Sequence, residues 1–129
     1  MSAPKILIVD DDQESRNLLC EVLQANGYAV EAVADGVAAR EELRRDDGYV
    51  VVIADLRMPK ETGLELLRNL RQERSKQAII LMSSFISGAE RKLARELGAH
   101  ALLEKPFRLT DLLRIVGELA CPKPVTISP

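Results

Sequence analysis

The sequence predicts a doubly wound α/β domain built from five βα units, and three features point to it. Short runs of continuous apolar residues alternate with segments whose apolar residues recur at helical spacing. The runs lack a polar residue at every second position, as strands covered on both faces require. Aromatic residues make up only 3% of the chain and Trp is absent. The core must therefore be built from Leu, Ile, Val and Ala, which suits helices packed on a buried parallel sheet.

The first strand is Ile6 to Val9, cut off at once by Asp10, Asp11 and Asp12. A helix follows with Leu18, Leu19, Val22 and Leu23 on one face, and Gly27 stands just past it, where a left-handed residue is favoured. Val30 to Val33 is a weaker strand, interrupted by Glu31. Val37 to Leu43 carries the second helix, and the charge run Glu41 to Asp47 reads as its solvated face. Val50 to Ala54 is the third strand, ending in Asp55, with Leu64, Leu67 and Leu70 marking the helix after it. Ile79 to Met82 ends in Ser83 and Ser84, and Leu93 and Leu97 belong to the fourth helix, closed by Gly98. Ala101 to Leu103 ends in Glu104 and Lys105, and Leu112, Leu113, Val116 and Leu119 form the last helix, with Thr110 as its expected N-cap. Strands joined by crossover helices make a parallel sheet, and five such units place helices on both faces.

A chain of 129 residues, 47% apolar, fits one domain. With 18 basic against 20 acidic residues, the net charge of −2 argues against a nucleic-acid grip held by charge. The cluster Arg68, Arg71, Arg74 and Lys76 lacks interleaved aromatic residues, so no direct nucleic-acid binding is expected from it. No apolar run approaches the roughly 20 residues of a spanning helix. The stretch after Lys5 is also too short for a signal peptide, and the expected setting is cytoplasmic, without a membrane partner. Cys20 and Cys121 have no metal or CxxC spacing and read as ordinary reduced thiols. The ending CPKPVTISP, residues 121–129, reads as a proline-rich tail or the start of a linker. Beginning at Met and almost at once in a strand, the sequence suggests an N-terminal or stand-alone module.

In a doubly wound sheet, ligands bind outside the carboxyl ends of the strands. Here those ends carry Asp10, Asp11 and Asp12, then Asp55, then Ser83 and Ser84, then Glu104 and Lys105. Clustered carboxylates repel unless a cation joins them. Oxygen ligands without His or Cys favour Mg²⁺, and a nearby Lys and hydroxyl suit phosphoryl oxygens. Asp12 reads as a helix N-cap. Capping does not explain Asp10, Asp11 and Asp55 together with Ser83 and Lys105. Glu104 points away from Lys105 on the strand and is expected in solvent or an ion pair. The glycines, at 27, 36, 48, 63, 88, 98 and 117, are too far apart for GxGxxG or GxxxxGK[ST], which excludes a glycine-loop nucleotide site. His100 reads as an exposed loop residue rather than a phosphoryl carrier.

The segments ILIVDDD at 6–12, VVVIADLRMP at 50–59 with Gly63 following, ILMSS at 80–84 and GAHALLEKPF at 98–107 are together similar to the CheY-like receiver domain of two-component response regulators, over residues 4–120. The resemblance implies a flavodoxin-like sheet of strand order 2-1-3-4-5. It implies that Asp55 accepts a phosphoryl group, that Asp10 and Asp11 hold Mg²⁺ with Asp55 and the Arg57 carbonyl, and that Ser83 is the switch hydroxyl. Lys105, before a cis Pro106, would pair with the phosphoryl group. The donor would be a sensor histidine kinase or a histidine phosphotransfer protein, with only self-phosphorylation and self-dephosphorylation chemistry in the domain itself.

A downstream effector, or a second copy, would then read the face of the fourth helix, fifth strand and fifth helix, where Arg91, Lys92, Arg95, Asp111 and Arg114 lie; those charges read equally well as ordinary solvated positions. Leu102 occupies a position often aromatic in the family, so an inward-turning ring cannot act there. Phe85 and Arg57 flank the acceptor and are expected to hinder the attacking water. Two other classes compete: a haloacid-dehalogenase-like phosphatase, suggested by Asp10-x-Asp12, and a phosphorylation-independent interaction domain on the same scaffold.

Overall fold

The computed structural model describes residues 3–120, so the expected tail at 121–129, with Cys121, lies outside the described residues. Strands β1 (Lys5–Val9), β2 (Ala29–Val33), β3 (Tyr49–Asp55), β4 (Ala78–Ser83) and β5 (Ala101–Glu104) form one sheet in the order β2-β1-β3-β4-β5. Every pairing is parallel. Helices α1 (Gln13–Ala25), α2 (Gly36–Arg45), α3 (Gly63–Gln72), α4 (Gly88–Glu96) and α5 (Leu109–Ala120) each follow a strand. The doubly wound, flavodoxin-like architecture expected from the sequence is therefore present.

Alternation along the strands divides the core in two. Ile6 and Ile8 pack with Leu19 and Leu23 of α1 and Leu112 and Val116 of α5. Leu7 and Val9 pack on the other face with Leu43 of α2 and Leu66, Leu67 and Leu70 of α3. Each fully buried Leu or Ile contributes about 2 kcal/mol, and both faces of β1, β3 and β4 are lined by buried Leu, Ile, Val, Ala or Met, which is why their sequences read as unbroken apolar runs. β2 pairs only with β1 and leaves Glu31 exposed, which accounts for the weaker run at Val30 to Val33.

Local signals mostly hold. Asp12 caps α1, accepting from the Ser15 amide at 3.2 Å. Gly27 and Gly98 adopt φ of 93° and 85°, the left-handed conformation expected after a helix. Thr110 is a correction. α5 already begins at Leu109, and the amides of Asp111 and Leu112 donate to the Arg108 carbonyl at 3.0 and 3.2 Å. The backbone of Arg108 thus initiates the helix, and Thr110 lies inside its first turn. The charge run at Glu41 to Asp47 also outlasts α2, which ends at Arg45, so Asp46 and Asp47 belong to the connection.

The basic cluster at the end of α3 has a structural user in Arg71, in the helix's last turn. Its guanidinium donates to the carbonyls of Leu97, Gly98 and Ser75 at 3.0, 3.0 and 3.3 Å, tying α3 to the end of α4. His100 is exposed, and its Nδ1 accepts from the Ile79 amide at 3.1 Å. Among the described residues no helix is long and apolar enough to cross a membrane.

Candidate functional site

Strand register assembles the site before any side chain is considered. Val9 lies opposite Ala54, so Asp10 and Asp55 emerge side by side from β1 and β3. Asp55 lies opposite Met82 and Ser83 opposite Glu104, which brings Ser83 and Lys105 to the same rim. The ladder continues past the strand ends. The Asp10 amide donates to the Val33 carbonyl at 3.1 Å, Leu56 to Met82 at 2.8 Å and Lys105 to Ser83 at 2.7 Å. The Lys105–Pro106 peptide is cis, as expected.

Lys105 is the cation at the centre of this rim. Its Nζ donates to Asp55 Oδ2 at 3.0 Å and stands 4.0 Å from Asp10 Oδ2. Partial burial disfavours its charged form, yet the bond to Asp55 and the charges of Asp55, Asp10 and Asp12 together hold its pKa above the ordinary lysine value. Asp55 Oδ1 accepts from the Arg57 amide at 2.9 Å. Ser83 is 2% exposed, and its Oγ accepts from the Phe85 amide at 3.4 Å.

Asp10 is fully buried, and its two oxygens differ. Oδ1 accepts from the Asp12 amide at 3.0 Å, whereas Oδ2 is buried with no hydrogen-bond partner. Burial is the main cause of a raised Asp10 pKa; the Asp12 amide and Lys105 oppose it, while Asp55 and Asp11 add to it. A buried anionic oxygen without a donor is satisfied by a cation, so this corner fits a small divalent ion. Asp11 is exposed beside it. Among the described residues no three carboxylate, imidazole or thiolate groups converge into a ready metal cage. An ion here must take backbone oxygen and water as well, which is the usual manner of Mg²⁺.

The loops over the rim are joined by Arg57. Its guanidinium donates to both carboxylate oxygens of Glu90 at 2.9 Å and to the Phe85 carbonyl at 3.1 Å. Glu90 also closes the capping box of α4 with Ser87. The Arg57 bond first, and the Ser87 amide second, lower its pKa from 4.5 to about 2. A carboxylate whose pKa is depressed by folding stabilises fully above its unfolded value and loses that contribution as pH falls through the folded one. Wild type is therefore expected to lose α4 amide protection between pH 4.5 and about 2, and Glu90→Gln to show a smaller loss over that window. Equal slopes in hydrogen exchange would refute this.

All six expected site residues lie at or beside the rim, with Asp10, Asp55, Ser83 and Lys105 clustered and Asp11 and Arg57 at its edge. Glu104 is ion-paired with Arg91, as one of its two expected readings held. Sequence reasoning missed Glu90, although Ser87-x-x-Glu90 is a readable capping pattern. It also missed Glu61, buried and bound by Arg40 at 2.9 and 3.1 Å and by Asn69 at 2.7 Å, which pins the loop after Asp55 to α2 and α3. A recess of about 330 Å³, lined by Leu18, Leu19, Met82, Phe107 and Leu109, opens beside Lys105. A larger one of about 380 Å³, reaching from Tyr49 to Gln77, lies at the opposite end of the strands, away from these groups.

Known proteins share this fold. Residues 6–117 match the response regulator receiver domain family. Response regulator MprA of Mycobacterium leprae is 40% identical over 115 residues, covering 89% of this chain and 50% of the relative. The chain thus spans about half the length of the curated relatives it matches. A response regulator receiver protein from Pseudomonas putida superposes with a TM-score of 0.87 at 32% identity, over 92% of this chain and 98% of that one. The receiver domain of a Pseudomonas aeruginosa sensor histidine kinase, solved with a magnesium ion coordinated in its active site cleft, gives 0.82 at 26% identity over the same shares. The fold, the rim and these matches together establish that the chain belongs to the response regulator receiver domain family.

Proposed function

We propose that the domain accepts a phosphoryl group onto Asp55 from a phosphohistidine of a sensor histidine kinase or phosphotransfer protein. The observation that carries this reading is Lys105, bound to Asp55 and 4.0 Å from the Asp10 oxygen that has no hydrogen-bond partner. A carboxylate oxygen of Asp55 attacks phosphorus, the O–P bond forms, the N–P bond breaks, and the imidazole nitrogen keeps the electron pair. Lys105 offsets the charge on the incoming oxygens, and the Ser83 hydroxyl is a donor to another of them. Asp10 and Asp11, with Asp55 and the Arg57 carbonyl, would hold Mg²⁺, which supplies charge neutralisation at the phosphoryl oxygens. Water later cleaves the O–P bond, releasing phosphate and restoring the Asp55 carboxylate.

The apolar recess beside Lys105 gives the donor protein a surface next to Asp55. The output is a population shift, read by a downstream effector or a second copy on the face of α4, β5 and α5. Asp12 weakens the phosphatase alternative, because one oxygen of its carboxylate is engaged in capping α1.

Intact mass after incubation with acetyl phosphate tests the reading. Wild type with Mg²⁺ is expected to gain about one phosphoryl group, roughly 80 Da, and Asp55→Asn to gain none. An unmodified wild type, under conditions that modify a control receiver, would leave the phosphorylation-independent interaction domain in its place.

A further inference from the structure

Arg57 divides its two ends between two sites. Its amide is fixed on the acceptor, donating to Asp55 Oδ1 at 2.9 Å. Its guanidinium turns outward to Glu90, at 2.9 Å from each oxygen, and to the Phe85 carbonyl at 3.1 Å. One side chain therefore ties the loop after Asp55 to the loop after Ser83 and to the first turn of α4. The Arg57 side chain is 53% exposed, and solvent-exposed ion pairs are weak enough to exchange partners. Glu90 keeps its place without Arg57, because the Ser87 capping box holds it.

Resting on the reading of Asp55 as phosphoryl acceptor, we propose that the Arg57 guanidinium is a ligand of the phosphoryl group and that Glu90 competes with that group for it. A phosphoryl group brings more negative charge and more acceptor oxygens than one carboxylate, and the planar guanidinium fork fits either. The anchored Arg57 amide keeps the side chain within a short swing of Asp55. Moving to the phosphoryl oxygens, Arg57 releases both Glu90 and the Phe85 carbonyl, which frees the loop leading into α4. This ionic exchange links Asp55 to α4 without a ring at Leu102.

The signs of two variants test it. Glu90→Gln removes the competing charge and retains a side-chain acceptor for the capping box. Arg57→Ala removes the guanidinium and leaves the amide and carbonyl that face Asp55. Affinity for beryllofluoride, a phosphoryl mimic, is measured by fluorine NMR at neutral pH with Mg²⁺. Glu90→Gln is expected to bind about threefold tighter than wild type and Arg57→Ala about threefold weaker, with the double variant matching Arg57→Ala. Shifts in the same direction for both single variants would show that the pair is only a structural clasp and overturn the proposal, as would an unchanged Arg57→Ala. Acetyl phosphate is tested in parallel by intact mass. A wild type that binds no beryllofluoride and gains no phosphoryl mass overturns the acceptor reading itself, and this proposal with it.

Discussion

Gly63→Ala is expected to destabilise the domain by about 3 kcal/mol, a fall in melting temperature of roughly 10 °C, and to reduce phosphoryl uptake at Asp55. A Cβ at Gly63 would lie 2.6 Å from the Asp55 carbonyl oxygen and 2.9 Å from the Leu56 Cα. Both are backbone atoms, so no rotamer change relieves the clash. α3 has to retreat from the end of β3, and the hydrogen bond from the Gly63 amide to the Leu56 carbonyl, at 3.0 Å, is strained with it. Because Asp55 ends β3 and Leu56 follows it, the cost in stability and the loss at the site share one cause. Gly88→Ala is the control, since a Cβ there meets nothing within 4 Å and stands at the start of α4. That variant is expected to be neutral or stabilised by up to about 1 kcal/mol. A Gly63→Ala protein that melts with wild type and takes up phosphoryl groups equally well would refute the account.

Legibility in the sequence followed burial. β1, β3 and β4 are covered on both faces, so their apolar runs, and the polar residues that end them, were visible at once, and with them Asp10, Asp55 and Ser83. The edge strand β2 was fainter for lack of a second neighbour. What stayed hidden depends on partners far apart in the chain. Glu61, between Pro59 and Gly63, reads as a solvated loop residue until Arg40 and Asn69 are seen to enclose it. Arg57 is legible as a neighbour of Asp55, two residues away, but its attachment to Glu90 requires the fold that sets β3 next to β4. Thr110 misled because a helix can be initiated by a backbone carbonyl, here that of Arg108, which leaves no mark in the side chains.

Asp10→Asn is expected to separate stability from function by moving them in opposite directions. In the absence of divalent ions the variant should gain about 1 kcal/mol at neutral pH, because it replaces a buried charge whose Oδ2 has no donor by a neutral group. The sign of its pH dependence is fixed by linkage. Folding raises the Asp10 pKa above 3.8, so the native state holds the proton more tightly than the unfolded chain. The charge therefore costs nothing well below pH 3.8, and its cost grows as pH rises through the raised value. The stability gap between Asp10→Asn and wild type should widen over that rise, as denaturant titrations at a series of pH values would show. Adding Mg²⁺ should then narrow it, because only wild type offers the ion a charged buried oxygen. Over the same range the variant should lose phosphoryl uptake from acetyl phosphate by about 100-fold or more. A destabilised Asp10→Asn would mean that attraction to Lys105, 4.0 Å away, outweighs the burial of the unpartnered oxygen. The corner would then be an internal ion pair already satisfied without a metal, and the case for a divalent ion at this position would fail.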